Sequence, residues 1–395
     1  MLAAVAVVAA AAPAPAGGQT LAQRLDDALT IAGVSRAQTG ALAFDLASGR
    51  AIYRLHRSRS LRPASNEKLS VALAALERLG PSRRIRTTAL GVGSRTGSTW
   101  RGRLVLKGYG DPSLTTADLR RLASQLVAAG IRRVAGRIVG DESYFDRRRT
   151  APGWKASFYK LESPPLSALV VNRAKVDGRT VDNPALAAAK AFRRALVRAG
   201  ISVRGRAMVG VAPRGSPRLA IVRSPTVARL VRRMNKWSDN FYAEMLVKHL
   251  GAKLRGAGTT AVGCLVVRRV LAARNVPLAG VRIVDGSGLS RYDRATARAL
   301  GALLVSAWRD PTVRRPFFTS LAIAGVDGTL EDRLRRPSVR GRVRAKTGTT
   351  SAASALSGYV GSRFVFAILQ NGSPISWSRA RTAQDRFVRI LAGRL

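Results

Sequence analysis

The chain has 395 residues, a mass of 42.1 kDa and 46% hydrophobic residues, enough for two or three domains of roughly 100–200 residues each. A single cysteine, Cys264, excludes a disulfide framework and a cysteine-bound zinc. With only two histidines, His56 and His249, a histidine zinc site is nearly excluded as well, and no metal or cofactor is expected. Lys+Arg number 68 against 22 Asp+Glu, a formal charge of +46. Such an excess attracts polyanions, whether acidic wall polymers, an anionic membrane surface or nucleic acid. The basic residues are scattered singly between apolar ones with no basic tail, however. That texture reads first as a coding bias for arginine, and no specific nucleic-acid partner is expected.

The chain opens on an apolar run, Leu2 to Ala12, followed by Ala14-Pro15-Ala16. This is the pattern of an export signal over residues 1–16, although no basic residue precedes it, and it places the mature protein outside the cytoplasm. Leu21 to Gly33 carries apolar residues at helical spacing. Thr39 to Leu46 and Ala51 to Leu55 are short apolar runs about Ala47-Ser48-Gly49-Arg50, a hairpin signal. A helix is expected over Ser65 to Leu79, stopped by Gly80-Pro81. From about Ile85 to Gly215 short glycine-bounded strands (Arg103 to Lys107, Arg137 to Gly140) alternate with helices (Thr116 to Ala129, Pro184 to Ala199). Ser224-Pro225 opens a helical region to Leu250, broken near Trp237. Helices follow over about Ala261 to Arg274 and Ala295 to Trp308. Val343 to Thr349, Ala355 to Val360 and Phe364 to Gln370 read as antiparallel strands, and Ser378 to Leu395 as an amphipathic closing helix. The expected organisation is a discontinuous domain, 17–85 with 217–395, interrupted by an α/β module over 86–216.

Three short motifs could carry chemistry. In Ser65-Asn66-Glu67-Lys68 the serine and lysine lie three apart and so share a helix face. A serine hydroxyl needs a base to become a nucleophile, and a lysine serves only if its pKa falls well below the ordinary ~10.4. Read alone, the tetrapeptide fits a capped helix start with a solvated lysine better. In Ser238-Asp239-Asn240 the first and third side chains converge only on a turn; Ser238 could pass a proton and Asn240 could hold an amide, or the three could simply cap a helix. In Lys346-Thr347-Gly348-Thr349, on a probable strand, Lys346 supplies positive charge. Thr347 and Thr349 supply hydroxyls for a carboxylate, and Gly348 leaves room for a substrate backbone. The bland alternative is a strand and turn with an exposed lysine. Each signal is weak by itself; their combination in this order is the set of class A β-lactamases and penicillin-binding proteins.

The sequence resembles the penicillin-binding-protein-4-type D-alanyl-D-alanine carboxypeptidases, serine peptidases of the penicillin-recognising fold. The likeness extends to Gly110-Asp111-Pro112-Ser113-Leu114, Gly140-Asp141-Glu142-Ser143-Tyr144-Phe145-Asp146, Pro152-Gly153-Trp154 and Pro165-Leu166-Ser167-Ala168-Leu169. It continues in Arg232 to Asn240, Asp285 to Arg291, Gly325 to Leu330 and Ala345 to Thr349. The resemblance implies an α+β fold: a five-stranded antiparallel sheet flanked by helices, an all-helical subdomain and the inserted module. It implies D-Ala-D-Ala carboxypeptidase activity, with endopeptidase activity also open, on peptidoglycan stem peptides, and β-lactams as covalent inhibitors. It assigns Ser65 as nucleophile, Lys68 as its base, Ser238 and Lys346 to proton return, and Asn240 to the acyl-side amide. Lys346, Thr347 and Thr349 then hold the terminal carboxylate beside Gly348. Many relatives carry an acidic residue soon after Pro-Gly-Trp; here Lys155-Ala156-Ser157-Phe158 follows. No glutamate is found in the place of the deacylating one of class A β-lactamases. A β-lactamase or esterase of the same fold is the nearer alternative, a non-catalytic basic wall- or nucleic-acid-binding protein the more distant.

Overall fold

The computed structural model describes residues 19–395, so the expected export signal lies outside the described residues. Helix α1 (Leu21–Leu29) starts on a reciprocal cap, Thr20 accepting from the Gln23 N–H while the Gln23 side chain accepts from that of Thr20. It ends four residues before Gly33, because Thr30 leaves helical geometry and turns its hydroxyl back to the Asp26 carbonyl. Strands β1 (Thr39–Asp45) and β2 (Arg50–Leu55) form the hairpin. A 3₁₀ turn, Ala64–Glu67, leads into α2 (Lys68–Leu79), in which every residue from Lys68 to Leu76 is buried. A helix without a polar face belongs inside a domain, and α2 is the helix around which the others pack.

The middle of the chain builds a second, mixed sheet. β3 (Arg84–Thr96) and β4 (Thr99–Gly108) make a long hairpin, α3 (Thr116–Ala128) returns, and β5 (Arg133–Val134) and β6 (Ile138–Asp141) follow. β7 (Lys175–Val176) and β8 (Arg179–Thr180) are a minimal hairpin before α4 (Pro184–Arg198), β9 (Ser202–Val203), β10 (Ala207–Val209) and β11 (Arg218–Thr226). The strand order is β10-β6-β4-β3-β11, with α3 and α4 on one face over Leu104, Leu106 and Ile138. The sequence reading missed β3, whose Gly91, Gly93, Ser94 and Arg95 hide any apolar alternation. It also opened a helix at Ser224-Pro225; those residues end β11, and Thr226 caps the helix beyond.

That helix, α5 (Val227–Lys236), is followed by α6 (Asn240–Arg255), α7 (Thr260–Ala273), α8 (Ala297–Arg309) and α9 (Pro311–Ser320). The unforeseen α9 holds an internal proline but starts on a sound cap, Asp310 accepting from the Thr312 and Val313 N–H groups. β12 (Ala322–Ile323), β13 (Val343–Thr350), β14 (Ala353–Val360), β15 (Phe364–Asn371) and α10 (Trp377–Ala392) close the chain.

The first sheet is wholly antiparallel in the order β12-β13-β14-β15-β1-β2. The five expected strands are joined by a sixth, the two-residue β12. The pleat of β15 sends Val365, Ala367 and Leu369 toward α2 and α8, and Phe364, Phe366 and Ile368 toward α1 and α10. The sheet is therefore buried on both faces, which is why its strands read as continuous apolar runs. Among the described residues no single helix is long and apolar enough to cross a membrane. Phe387 of α10 is fully buried and meets the Tyr53 ring edge-on at 5.4 Å. Phe387→Ala is expected to destabilise the protein by ~3–5 kcal/mol, read as a lower midpoint in urea unfolding.

Candidate active site

The three motifs arrive from three directions and meet at the end of β13. Ser65 lies in the 3₁₀ turn, so Lys68 at the start of α2 is turned toward it, and their Oγ and Nζ are 2.9 Å apart. Ala64 takes a left-handed conformation (φ 47°), as does Ser238 (φ 56°) in the break between α5 and α6. Such geometry is rare for residues with a side chain and is held only where the surroundings enforce it. At Ser238 it is what lets the side chains of 238 and 240 converge. Asn240 Oδ1 accepts from Lys68 Nζ at 2.8 Å, and the Ser287 carbonyl accepts at 2.6 Å. Lys346 Nζ donates to Ser238 Oγ at 2.9 Å and to the Thr347 carbonyl at 2.7 Å. Thr347 Oγ1 is 2.8 Å from Thr329 Oγ1, which ties the strand to the 325–330 loop.

Neither lysine has any exposed surface. Burial pushes Lys68 down to about 8, against the pull of the Asp285, Glu244, Asp239 and Glu162 carboxyl groups, which favour the ammonium. Burial also drives Lys346 well below its usual value, with the Lys68 charge adding to the same direction. A neutral lysine has two N–H donors and one lone pair. For Lys68 the donors are matched by Asn240 and Ser287, which leaves the lone pair for the Ser65 hydroxyl.

Glycine serves two close approaches here. A Cβ on Gly288, which has a φ of 80°, would lie 1.8 Å from the Ala64 carbonyl oxygen, so the 285–288 turn sits directly behind the 3₁₀ turn. Gly348 was expected to make room for a substrate. Its side-chain direction is filled by the protein itself, with the Pro63 carbonyl, Asn66 Nδ2 and Ala64 Cβ 2.9–3.1 Å from where its Cβ would be. Asn66 Nδ2 also donates to the Lys346 carbonyl at 3.1 Å, locking strand to turn.

Ser65, Ser238, Asn240, Thr347 and Thr349 line one open cavity of about 490 Å³; Lys68 and Lys346 lie beneath it, and Gly348 forms the strand between. All eight residues singled out in the sequence are thus brought together. Sequence reasoning missed four charged residues around the same cavity, Glu162, Asp332, Arg333 and Arg381. Glu162, from the irregular segment after Trp154, places Oε2 3.4 Å from Asn240 Nδ2, while its carbonyl accepts from the same nitrogen at 3.0 Å. Arg381 of α10 adds a guanidinium. None of the four stands in a recognisable motif, and only the folded chain places them. Trp154 Nε1 donates to Asp285 Oδ2 at 2.8 Å, so the Pro-Gly-Trp landmark braces the turn behind Lys68. A larger cavity, about 1040 Å³, lies between β2, α8 and the start of α9 and holds none of these residues. The histidines take no part: His249 is buried against the Tyr109 carbonyl at 2.9 Å, and His56 faces that of Thr39 at 3.1 Å.

Comparison with known proteins bears on family and fold. Over 89% of its length the chain is 31% identical to the D-alanyl-D-alanine carboxypeptidase of an Actinomadura species, covering 81% of that protein. It is 31% identical to a carboxypeptidase of Mycobacterium tuberculosis, over 79% of this chain and 71% of that one. The fold is that of penicillin binding protein 4 (dacB) from Haemophilus influenzae, with a TM-score of 0.82 at 23% identity over 94% of this chain and 98% of that one. Residues 21–180 and 174–394 match the model of the D-Ala-D-Ala carboxypeptidase 3 (S13) family, and the chain belongs to that family.

Proposed function

We propose that the protein is a serine D-Ala-D-Ala carboxypeptidase acting on peptidoglycan stem peptides through an acyl-enzyme on Ser65, and that β-lactams acylate the same hydroxyl. The single observation that carries this reading is the Ser65–Lys68 pair at 2.9 Å with the amine fully buried. Lys68, neutral, takes the hydroxyl proton as Oγ attacks the carbonyl carbon of the scissile bond. The carbon–nitrogen bond then breaks, and the leaving amine takes the hydroxyl proton of Ser238, whose oxygen is held by Lys346 Nζ; the Lys68 ammonium replaces that proton, so the proton lost by Ser65 ends on the amine and Lys68 is neutral again. The N–H groups of Ser65 and Thr349 receive the developing oxyanion; one such donor typically lowers the barrier by ~3 kcal/mol. β12 pairs only with Arg344 and Ala345, so the outer edge of β13 from Lys346 onward has no partner strand and suits an extended peptide. Thr347, Thr349 and the Lys346 amine, as hydrogen-bond donors, serve the terminal carboxylate, and Asn240 serves the acyl-side amide. Water then attacks the ester and releases the shortened peptide.

Two further readings belong with this one. The segment between β3 and β11 is the inserted module, with boundaries near 86 and 216; one of its walls carries Glu162 into the cavity. The protein works outside the cytoplasm, where stem peptides are, and its +46 charge can there meet acidic wall polymers or an anionic membrane surface.

Ser65→Ala is expected to abolish labelling by a fluorescent penicillin while the urea midpoint stays near that of the wild type; undiminished labelling would place the nucleophile elsewhere. Acylation needs the neutral Lys68 amine, which becomes scarcer as pH falls below about 8. The second-order rate constant for penicillin acylation should therefore drop by about tenfold per pH unit on the acid side. A rate that stays flat from about pH 6 to about pH 9 contradicts the lysine as base.

Glu162 favours a second reading, hydrolysis of β-lactams, because its carboxylate reaches the wall of the same cavity beside Asn240. Steady-state nitrocefin hydrolysis decides between them. A stoichiometric burst with slow release marks the peptidase. Fast turnover that Glu162→Gln abolishes marks the β-lactamase.

A further inference from the structure

Behind Lys68 lie four carboxyl groups, Glu67, Glu244, Asp285 and Asp293, each with at most 1% of its surface exposed. One oxygen each of Glu67, Glu244 and Asp293 has no hydrogen-bond partner. The remaining oxygens of Glu244 and Asp293, with both of Asp285, clamp one short piece of chain. Glu244 Oε1 accepts from the Gly286 and Ser287 N–H groups at 3.0 and 2.8 Å. Asp285 Oδ1 accepts from Gly288 N–H at 2.7 Å and its Oδ2 from Ser290 N–H at 2.8 Å. Asp293 Oδ1 accepts from Val284 N–H at 2.7 Å. The purpose of so much buried acid lies on the far side of the turn, where the Ser287 carbonyl meets Lys68 Nζ.

Glu244 stands one helical turn after Asn240 on α6, so the two share a face. Asn240 touches the amine directly. Glu244 reaches it through the turn, which lies so close that a Cβ on Gly286 would come within 2.5 Å of Val247 Cγ2 and 2.9 Å of the Ala243 carbonyl. We propose that Glu244 is a positioning residue for the Lys68 amine: it docks the Gly286–Ser287 backbone on α6, so that Asn240 Oδ1 and the Ser287 carbonyl stay fixed on Nζ and its lone pair stays aimed at Ser65. The proposal rests on the reading of Lys68 as the base. What Glu244 chiefly supplies is reach and an acceptor oxygen; its carboxyl also favours the Lys68 ammonium, and burial, which raises its own pKa to about 8, weakens that charge. The other charged groups that bear on Lys68 are Glu67 beside it, Asp239 of the α6 cap, Asp285 of the turn, Glu162 of the cavity wall and Lys346 of β13.

Two variants separate reach from charge. Glu244→Gln keeps the length and the acceptor; Glu244→Asp keeps the carboxyl but is one methylene too short to hold both N–H groups. Penicillin acylation is measured from pH to pH and normalised to the fraction of chains that titrate. The Gln variant should remain within about threefold of the wild type. The Asp variant should be slower by about tenfold or more. Its acid limb should also move to lower pH, because losing the Ser287 carbonyl removes an acceptor that favours the ammonium. An Asp variant that matches the wild type in rate and in acid limb overturns the proposal. So does a Gln variant as slow as the Asp one, or an Asp variant whose whole loss is a smaller titratable fraction. Labelling at Ser65 in every variant, mapped by mass spectrometry, keeps the reading of the nucleophile standing whatever the rates show.

Discussion

Two lysine amines are held out of water, Lys68 at 2.9 Å from the Ser65 hydroxyl and Lys346 at 2.9 Å from that of Ser238, and the rest of the molecule is arranged around that constraint. A buried ammonium without compensation is costly enough that the group gives up its proton instead. The fold keeps this cost from unravelling the site by surrounding each nitrogen with oriented acceptors: Asn240 and Ser287 for Lys68, Ser238 and the Thr347 carbonyl for Lys346. The same acceptors that stabilise the amines also aim them. Stability and reactivity therefore draw on one set of contacts.

The scaffold explains why those contacts can be so exact in direction. β13 belongs to a sheet covered on both faces and pairs along its whole length with β14, and α2 is buried along nearly its whole length. Neither can shift without opening the core. Where the two approach, Gly348 and Gly288 let backbone meet backbone, and the left-handed residues Ala64 and Ser238 bend the chain sharply enough to present hydroxyls inward. The central segment contributes from outside: Phe145, Leu166 and Ala168 pack on Phe241 and Met245 of α6, and Arg173 pairs with Asp239 at 2.7 Å. This contact brings Glu162 and Trp154 to the cleft.

Much of this was legible in the chain because the signals were local. Serine and lysine three apart need only a helix to meet. The runs at Val343, Ala355 and Phe364 need only pairing. The end strands Thr39 to Leu46 and Ala51 to Leu55 declared themselves by their turn. What stayed hidden depends on distant partners. β3 is a strand only because β4 and β11 flank it, its own glycines and arginines giving no period. Glu162 and Arg381 carry no pattern, since their proximity to Asn240 and Thr349 comes from how separate pieces dock. The spacing of Gly348 shows that something must come near but not that the protein's own Pro63–Asn66 turn does.

Thr39 pairs with Gln370, more than three hundred residues later. The sheet beside the nucleophile thus cannot form until the last of the described strands has been made, because β1 has no other inner neighbour than β15. Contacts so remote in sequence make for slow folding. During synthesis the growing chain carries its serine and lysine early but lacks the strand that confines them. The pair at 65 and 68 thus waits on a strand some three hundred residues downstream before the sheet beside it can close.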